Sequence, residues 1–132
     1  MTVRVFLVED MPQVQGLLAE LLAGIGDFDF AGAATTEAEA RLWLVENPGA
    51  WDLAIIDLVL EQGSGMGVIP HARAAAGDAA ASLVVFSDYA TEGIRQHCRK
   101  LGADAVFRKT DEMQDFMAFC AGLEGSAAAP AA

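Results

Sequence analysis

Five short apolar runs alternate with longer segments of helical character, and this alternation constrains the chain more than any other feature. The runs are residues 3–8, 28–34, 53–56, 83–86 and 105–107. The first, third and fourth are nearly continuous in Val, Leu, Ile and Phe, which is how a parallel strand reads when both its faces are covered. The second, Phe28-Asp29-Phe30-Ala31-Gly32, alternates as an edge strand does. Helices are predicted over 12–23, 36–46, 64–76, 91–101 and 111–123. Pro12 suits a first helical turn, with Asp10 or Met11 just before it. Thr36 with Glu39 three residues on resembles a capping box. Gly24, Gly49, Gly77 and Gly102 suit helix ends or the turns after them. Pro70, with Gly65 and Gly67 nearby, predicts a third helix that is kinked or starts late. Strand–helix alternation over five units implies right-handed crossovers and a parallel sheet with helices on both faces.

A chain of 132 residues, 54% apolar, has the length of one domain and enough apolar content for a packed core. The expected division is a domain over 1–124 and a loose Ala/Pro tail over 125–132. No apolar run approaches the ~20 residues that span a bilayer. The start, MTVRVFLVED, is too acidic and too short for a secretory signal. Eight Lys and Arg against 19 Asp and Glu give a net charge of −11, which speaks against direct nucleic-acid binding. Cys98 and Cys120 form no metal or haem pattern and read as reduced thiols in helix cores, so a cytoplasmic location is expected.

The chemistry sits where the runs end. Glu9 and Asp10 follow the first, Asp57 the third, Ser87 and Asp88 the fourth, and Arg108 and Lys109 the fifth. Ligands of open parallel sheets bind beyond the carboxyl ends of the strands. Singly, each residue has a plainer reading: an Asp after a strand is a turn former or cap, Glu9-Asp10 complements a helix dipole, and Lys109 is a solvated lysine. Four such groups at four strand ends are harder to ascribe to chance. Three carboxylates in one crevice repel unless a cation cancels them, and Mg²⁺ takes oxygen ligands of this kind. A carboxylate, a magnesium ion, a lysine and a hydroxyl are the parts needed to receive a phosphoryl group as an acyl phosphate.

Four segments carry a resemblance to a known family: VFLVED (5–10), LAIIDLVLEQGSGMGVI (53–69), LVVFSD (83–88) and LGADAVFRK (101–109). Over residues 3–124 the chain resembles a response-regulator receiver domain of two-component signalling. The resemblance implies the flavodoxin-like doubly wound fold, a five-stranded parallel sheet of order 2-1-3-4-5. It implies Asp57 as phosphoacceptor, with Mg²⁺ held by Asp10, Asp57 and the backbone carbonyl of Val59. Glu9 would help hold the metal's waters, Ser87 would hydrogen-bond the phosphoryl group, and Lys109 would pair with it.

The chain departs from the family pattern at three places. The switch position of the fifth strand, usually aromatic, is Val106, and Phe107 one residue later faces the other way. Thr110 stands where a proline usually follows the lysine, so no cis bond is expected there. Asp88 replaces a small residue; it would hinder phosphodonor access, repel the phosphoryl group or point to solvent.

The resemblance and length together suggest a stand-alone receiver, phosphorylated by a histidine kinase or phosphotransfer protein and docking on a downstream protein target. It would be no enzyme beyond slow self-catalysed phosphorylation and dephosphorylation. Five of the eight Lys and Arg residues, Arg95, Arg99, Lys100, Arg108 and Lys109, fall in the region of the fourth helix and fifth strand. In the last helix Met113, Phe116, Met117, Phe119, Cys120 and Leu123 spread over roughly 200° of the wheel, more than core packing needs. The surplus, with Phe119 at its margin, suggests a contact face; the plainer reading folds Phe119 over the core. In receivers the face of the fourth helix, fifth strand and fifth helix commonly forms dimers or docks targets. The competing reading is a pseudo-receiver, an interaction module without phosphate chemistry. A flavin protein or magnesium phosphohydrolase is disfavoured: Glu9-Asp10-Met11-Pro12 repels a cofactor phosphate, and Val59 occupies the place of a second acid.

Overall fold

The near-continuous apolar runs become central strands because alternate residues serve opposite faces of the sheet. Residues 2–77 and 79–128, with side chains to 123, are described by a computed structural model. The strands are β1 Val3–Val8, β2 Phe28–Ala34, β3 Leu53–Ile56, β4 Ser82–Phe86 and β5 Ala105–Phe107. The helices are α1 Pro12–Ile25, α2 Glu37–Glu46, α3 Gly65–Ala76, α4 Glu92–Leu101 and α5 Met113–Ala128. All strands are parallel, in the order β2-β1-β3-β4-β5. This is the flavodoxin-like doubly wound sheet.

One face carries Phe6, Val8, Ala54, Ile56, Leu83 and Val85 against α2, α3 and α4. The other carries Val5, Leu7, Leu53, Ile55, Val84 and Phe86 against α1 and α5. Edge strand β2 keeps the predicted alternation of half-buried and exposed residues. On the first face Phe6 and Trp43 stack with centroids 4.1 Å apart and planes 7° from parallel. Gly32 makes room for that stack, since a Cβ there would lie 2.3 Å from the indole nitrogen. Cys98 and Cys120 are buried on opposite faces, and burial pushes the Cys120 thiol up to about 12.

The helix ends show which local signals prevail. Met11 occupies the N-cap position of α1 without a side-chain cap bond, and Pro12 stands in the first turn. Thr36 caps α2 by accepting from the Glu39 amide, while Glu39 reaches back to the amide and hydroxyl of Thr35. Gly77 and Gly102 terminate α3 and α4 at positive φ. Gly24 does not end α1, which runs to Ile25 and is capped by Gly26. Nor does α3 start late. The Ser64 hydroxyl accepts from the Met66 amide and begins the helix at Gly65, and α3 continues through Pro70. The missing proline N–H bears only on the carbonyl one turn back, that of Met66. Helix α5 runs on to Ala128, into the segment expected as the tail. Residues 129–132 lie outside the described residues.

The start of α3 lies against the backbone of the third strand's end. A Cβ on Gly65 would fall 1.8 Å from the Asp57 carbonyl oxygen, whereas one on exposed Gly16 in α1 would meet nothing within 4 Å. Gly65→Ala is therefore expected to destabilise the fold by about 1–3 kcal/mol through overpacking. Gly16→Ala is expected to stabilise it by about 0.5–1 kcal/mol through helix propensity. Urea unfolding of the two variants checks the opposite signs.

Candidate functional site

Register brings the strand ends together. Val8 pairs with Ile56, Ile56 with Val85, and Val85 with Val106, so these residues form one row across four strands. Glu9 and Asp57 come next, at the point where the chain leaves the sheet. The Asp57 amide still donates to the Val8 carbonyl at 2.9 Å, and the Ser87 amide to the Phe107 carbonyl at 3.0 Å. These bonds carry sheet order one residue further, to the foot of the pocket. Counting on by two from Leu7, Ile55 and Phe107 places Glu9, Asp57 and Lys109 toward the same layer.

The result is an open pocket of about 300 Å³ whose lining includes Asp10, Asp57, Val59, Ser87, Asp88 and Lys109. Met11, Val59 and Tyr89 are among the exposed large apolar side chains and form its rim. Lys109 Nζ donates to Glu9 Oε1 at 2.6 Å and to Asp57 Oδ2 at 2.9 Å. Asp57 Oδ1 accepts from the Val59 amide at 3.2 Å. Glu9 also accepts from the Met11 amide, and its carbonyl accepts from the Gln15 side chain at 2.6 Å. Ser87 Oγ accepts from the Tyr89 amide at 3.3 Å, which leaves its own proton available.

Charge does not balance within this cluster. Glu9 and Asp57 are buried, at 1% and 6% exposure, and Asp10 is half-buried beside them. Oxygens of the three lie within 4.8 Å of one another. Against three carboxylates stands one ammonium. Burial pushes the Glu9 pKa up, opposed by the hydrogen bonds from Lys109 and the Met11 amide. Burial works to lower Lys109, but its hydrogen bonds and proximity to Glu9 and Asp57 outweigh this and raise it. An all-oxygen donor set with surplus negative charge, two members of it buried, fits a hard divalent cation.

The loop from Asp57 to α3 is held from outside the pocket. Glu37 Oε1 accepts from the Ser64 amide at 2.9 Å, and Thr36 bridges to Gln62. Glu37 carried no sequence signal beyond its place in a helix's first turn. Asp88 is exposed at the pocket's edge, and its Oδ1 accepts from the Thr110 amide at 3.1 Å. It points to solvent and at the same time ties its loop to the one after Lys109.

The expected cationic face is reduced. Of its five residues, Arg95 turns inward, Arg108 pairs with Asp111 and Glu112, and Lys109 fills the pocket. Arg99 and Lys100, exposed at the end of α4, join no ion pair among the described residues. The apolar surplus of α5 is also absorbed. Phe119 is half-buried with its ring 5.8 Å from that of Phe107, in the cluster that holds Met113, Met117 and Leu123. Phe107 widens the surface that α5 covers, and the wide apolar arc packs against this cluster with Met113, Met117, Phe119 and Leu123 partly buried.

Comparison with solved structures places this architecture. One match is a LuxR-family two-component response regulator from Aurantimonas, 24% identical over 92% of this chain and 87% of that one, with a TM-score of 0.74. A phosphorylated cyanobacterial phytochrome response regulator, RcpA, is 22% identical over 98% of each chain, at 0.73. The chain has the fold of a response-regulator receiver domain. A Burkholderia pseudomallei response regulator solved with a phosphorylated aspartic acid and a calcium ion is 21% identical over 96% of this chain and 73% of that one, at 0.72. No protein-family model and no curated protein matches the chain. Among the described residues no helix is long and apolar enough to cross a membrane.

Two measurements probe the electrostatics of this pocket. Lys109→Met strips the counter-charge from a buried pair and is expected to cost on the order of 3 kcal/mol without metal. Millimolar Mg²⁺ should restore much of this loss, because the unbalanced carboxylates bind the cation more tightly; thermal melts with and without Mg²⁺ check it. In wild type, divalent-cation affinity should fall as pH is lowered. The fall should begin above the ordinary glutamate range, because Glu9 takes up its proton early. Calorimetric titrations between about pH 7 and about pH 5 follow this directly.

Proposed function

We propose that this chain is a phosphoacceptor receiver that accepts a phosphoryl group on Asp57 in a Mg²⁺-dependent reaction. The observation that carries the reading is Lys109 Nζ within 3 Å of both Glu9 and Asp57 in a pocket that also presents Asp10 and Ser87. The donor would be the phosphohistidine of a histidine kinase or phosphotransfer protein. A carboxylate oxygen of Asp57 attacks phosphorus while the phosphorus–nitrogen bond breaks, and the leaving imidazole takes up a proton. The product is an aspartyl phosphate.

The chain's part is positioning and charge. Asp10, Asp57 and the Val59 carbonyl would hold the metal, with Glu9 ordering its waters. When bound, Mg²⁺ neutralises charge on the phosphoryl oxygens. Lys109 moves its hydrogen bond from the Asp57 carboxylate to a phosphoryl oxygen. Ser87 donates its unused proton to another. Val59 stands two residues after Asp57, so no acidic side chain is placed there to speed hydrolysis. The Burkholderia pseudomallei regulator with its phosphorylated aspartic acid supplies a like fold carrying this chemistry.

Acetyl phosphate or phosphoramidate with Mg²⁺ is expected to add one phosphoryl group to wild type and none to Asp57→Asn, as read by intact-protein mass spectrometry. Beryllofluoride should bind wild type with Mg²⁺. A wild type that binds Mg²⁺ but accepts neither phosphoryl group nor analogue would instead be an interaction module without phosphate chemistry.

A further inference from the structure

Arg95 stands in the first half of α4, where an arginine in so acidic a protein would be expected to seek solvent. Its side chain is instead 12% exposed. The guanidinium donates from Nε to the Ala90 carbonyl at 3.2 Å and from Nη1 to the Val106 carbonyl at 2.8 Å. Nη2 donates to Glu112 Oε1, which also accepts from the Arg108 amide at 2.8 Å. One planar fork therefore joins the loop after β4, strand β5 and the approach to α5. A lysine could not reproduce that geometry.

The three tethered segments are the neighbours of the pocket. Ala90 lies three residues past Ser87, Val106 three before Lys109, and Arg108 is adjacent to Lys109. Val106 is buried in the same apolar cluster as Cys98 of α4 and offers no side-chain hydrogen bond to that helix. The guanidinium makes that connection through the Val106 carbonyl. The bond from the Thr110 amide to Asp88 joins the same two loops at the pocket's edge.

We propose that Arg95, braced by Glu112, is a positioning residue that holds the Ser87 and Lys109 loops in register and transmits the state of the pocket to α4. This rests on the receiver reading above and adds a route that uses no aromatic side chain on β5. A phosphoryl group that draws Ser87 and Lys109 inward pulls the backbone at Ala90 and Arg108. Both pulls converge on one buried guanidinium, so α4 moves with them. Glu9, Asp10 and Asp57 follow β1 and β3, and none of them bonds to Arg95 or Glu112.

The test uses the full chain and two titrations, Mg²⁺ alone by calorimetry and beryllofluoride at saturating Mg²⁺ by fluorine NMR. Arg95→Ala should leave Mg²⁺ affinity unchanged and weaken beryllofluoride about tenfold, the scale of a lost charge-assisted hydrogen bond. Glu112→Ala should follow it, while Glu112→Gln, which keeps the acceptor, should stay near wild type. Beryllofluoride should slow amide exchange along α4 in wild type and not in Arg95→Ala. If Arg95→Ala does not fold, the two Glu112 variants decide the matter by the same criteria. Wild-type behaviour of Arg95→Ala in both titrations and in exchange would overturn the coupling and leave the receiver reading standing. A parallel loss of Mg²⁺ and beryllofluoride binding would also overturn it, as general loosening. A wild type that never binds beryllofluoride would remove the receiver reading itself, and the coupling with it.

Discussion

A single ammonium makes the end of this sheet habitable for acids. Glu9 and Asp57 are buried side by side, and a carboxylate taken out of water without a partner costs several kcal/mol. Lys109, a hundred residues after Glu9, reaches both within hydrogen-bond distance. Three of the five strands, β1, β3 and β5, are thus joined by charge just beyond the level where their ladders stop. The compensation is incomplete, since Asp10 adds a third carboxylate. The pocket is stable enough to exist and negative enough to attract a cation.

That arrangement follows from register more than from loops. Val8, Ile56, Val85 and Val106 form one row, so residues just beyond it leave the sheet together. The apolar rows beneath set the depth: Phe6 and Val8 hold one layer of helices, Val5 and Leu7 the other. Gly65 lets α3 begin against the Asp57 backbone, and Glu37 secures the intervening loop at Ser64. Core packing and chemistry are the same strands seen at different heights.

The strands were readable because covered parallel strands are apolar on both faces, and the pocket was readable because its residues follow those strands directly. Side chains that reach across space were not. Arg95 reads in sequence as one more solvated cation, and nothing local shows that three carbonyl and carboxylate oxygens await it. Phe119 widened an apolar arc that looked excessive until Phe107 supplied the surface beneath it. Asp88 allowed three readings because its partner is a backbone amide 22 residues on, a group every residue but proline carries. Gly24 reads as a helix stop, yet α1 continues to Ile25 and ends at Gly26.

The stacked pair of Phe6 and Trp43 has a practical side. Trp43 and Trp51 are the chain's two tryptophans, and both belong to the layer that includes α2, away from the pocket lining. Indole emission is thus a gauge of whether this half of the molecule is folded, and it is poorly placed to register what happens around Asp57. Tyr89, on the rim and 64% exposed, is the natural seat for an introduced fluorophore. The protein comes with an optical reference channel already installed, and a signal channel can be added at one position.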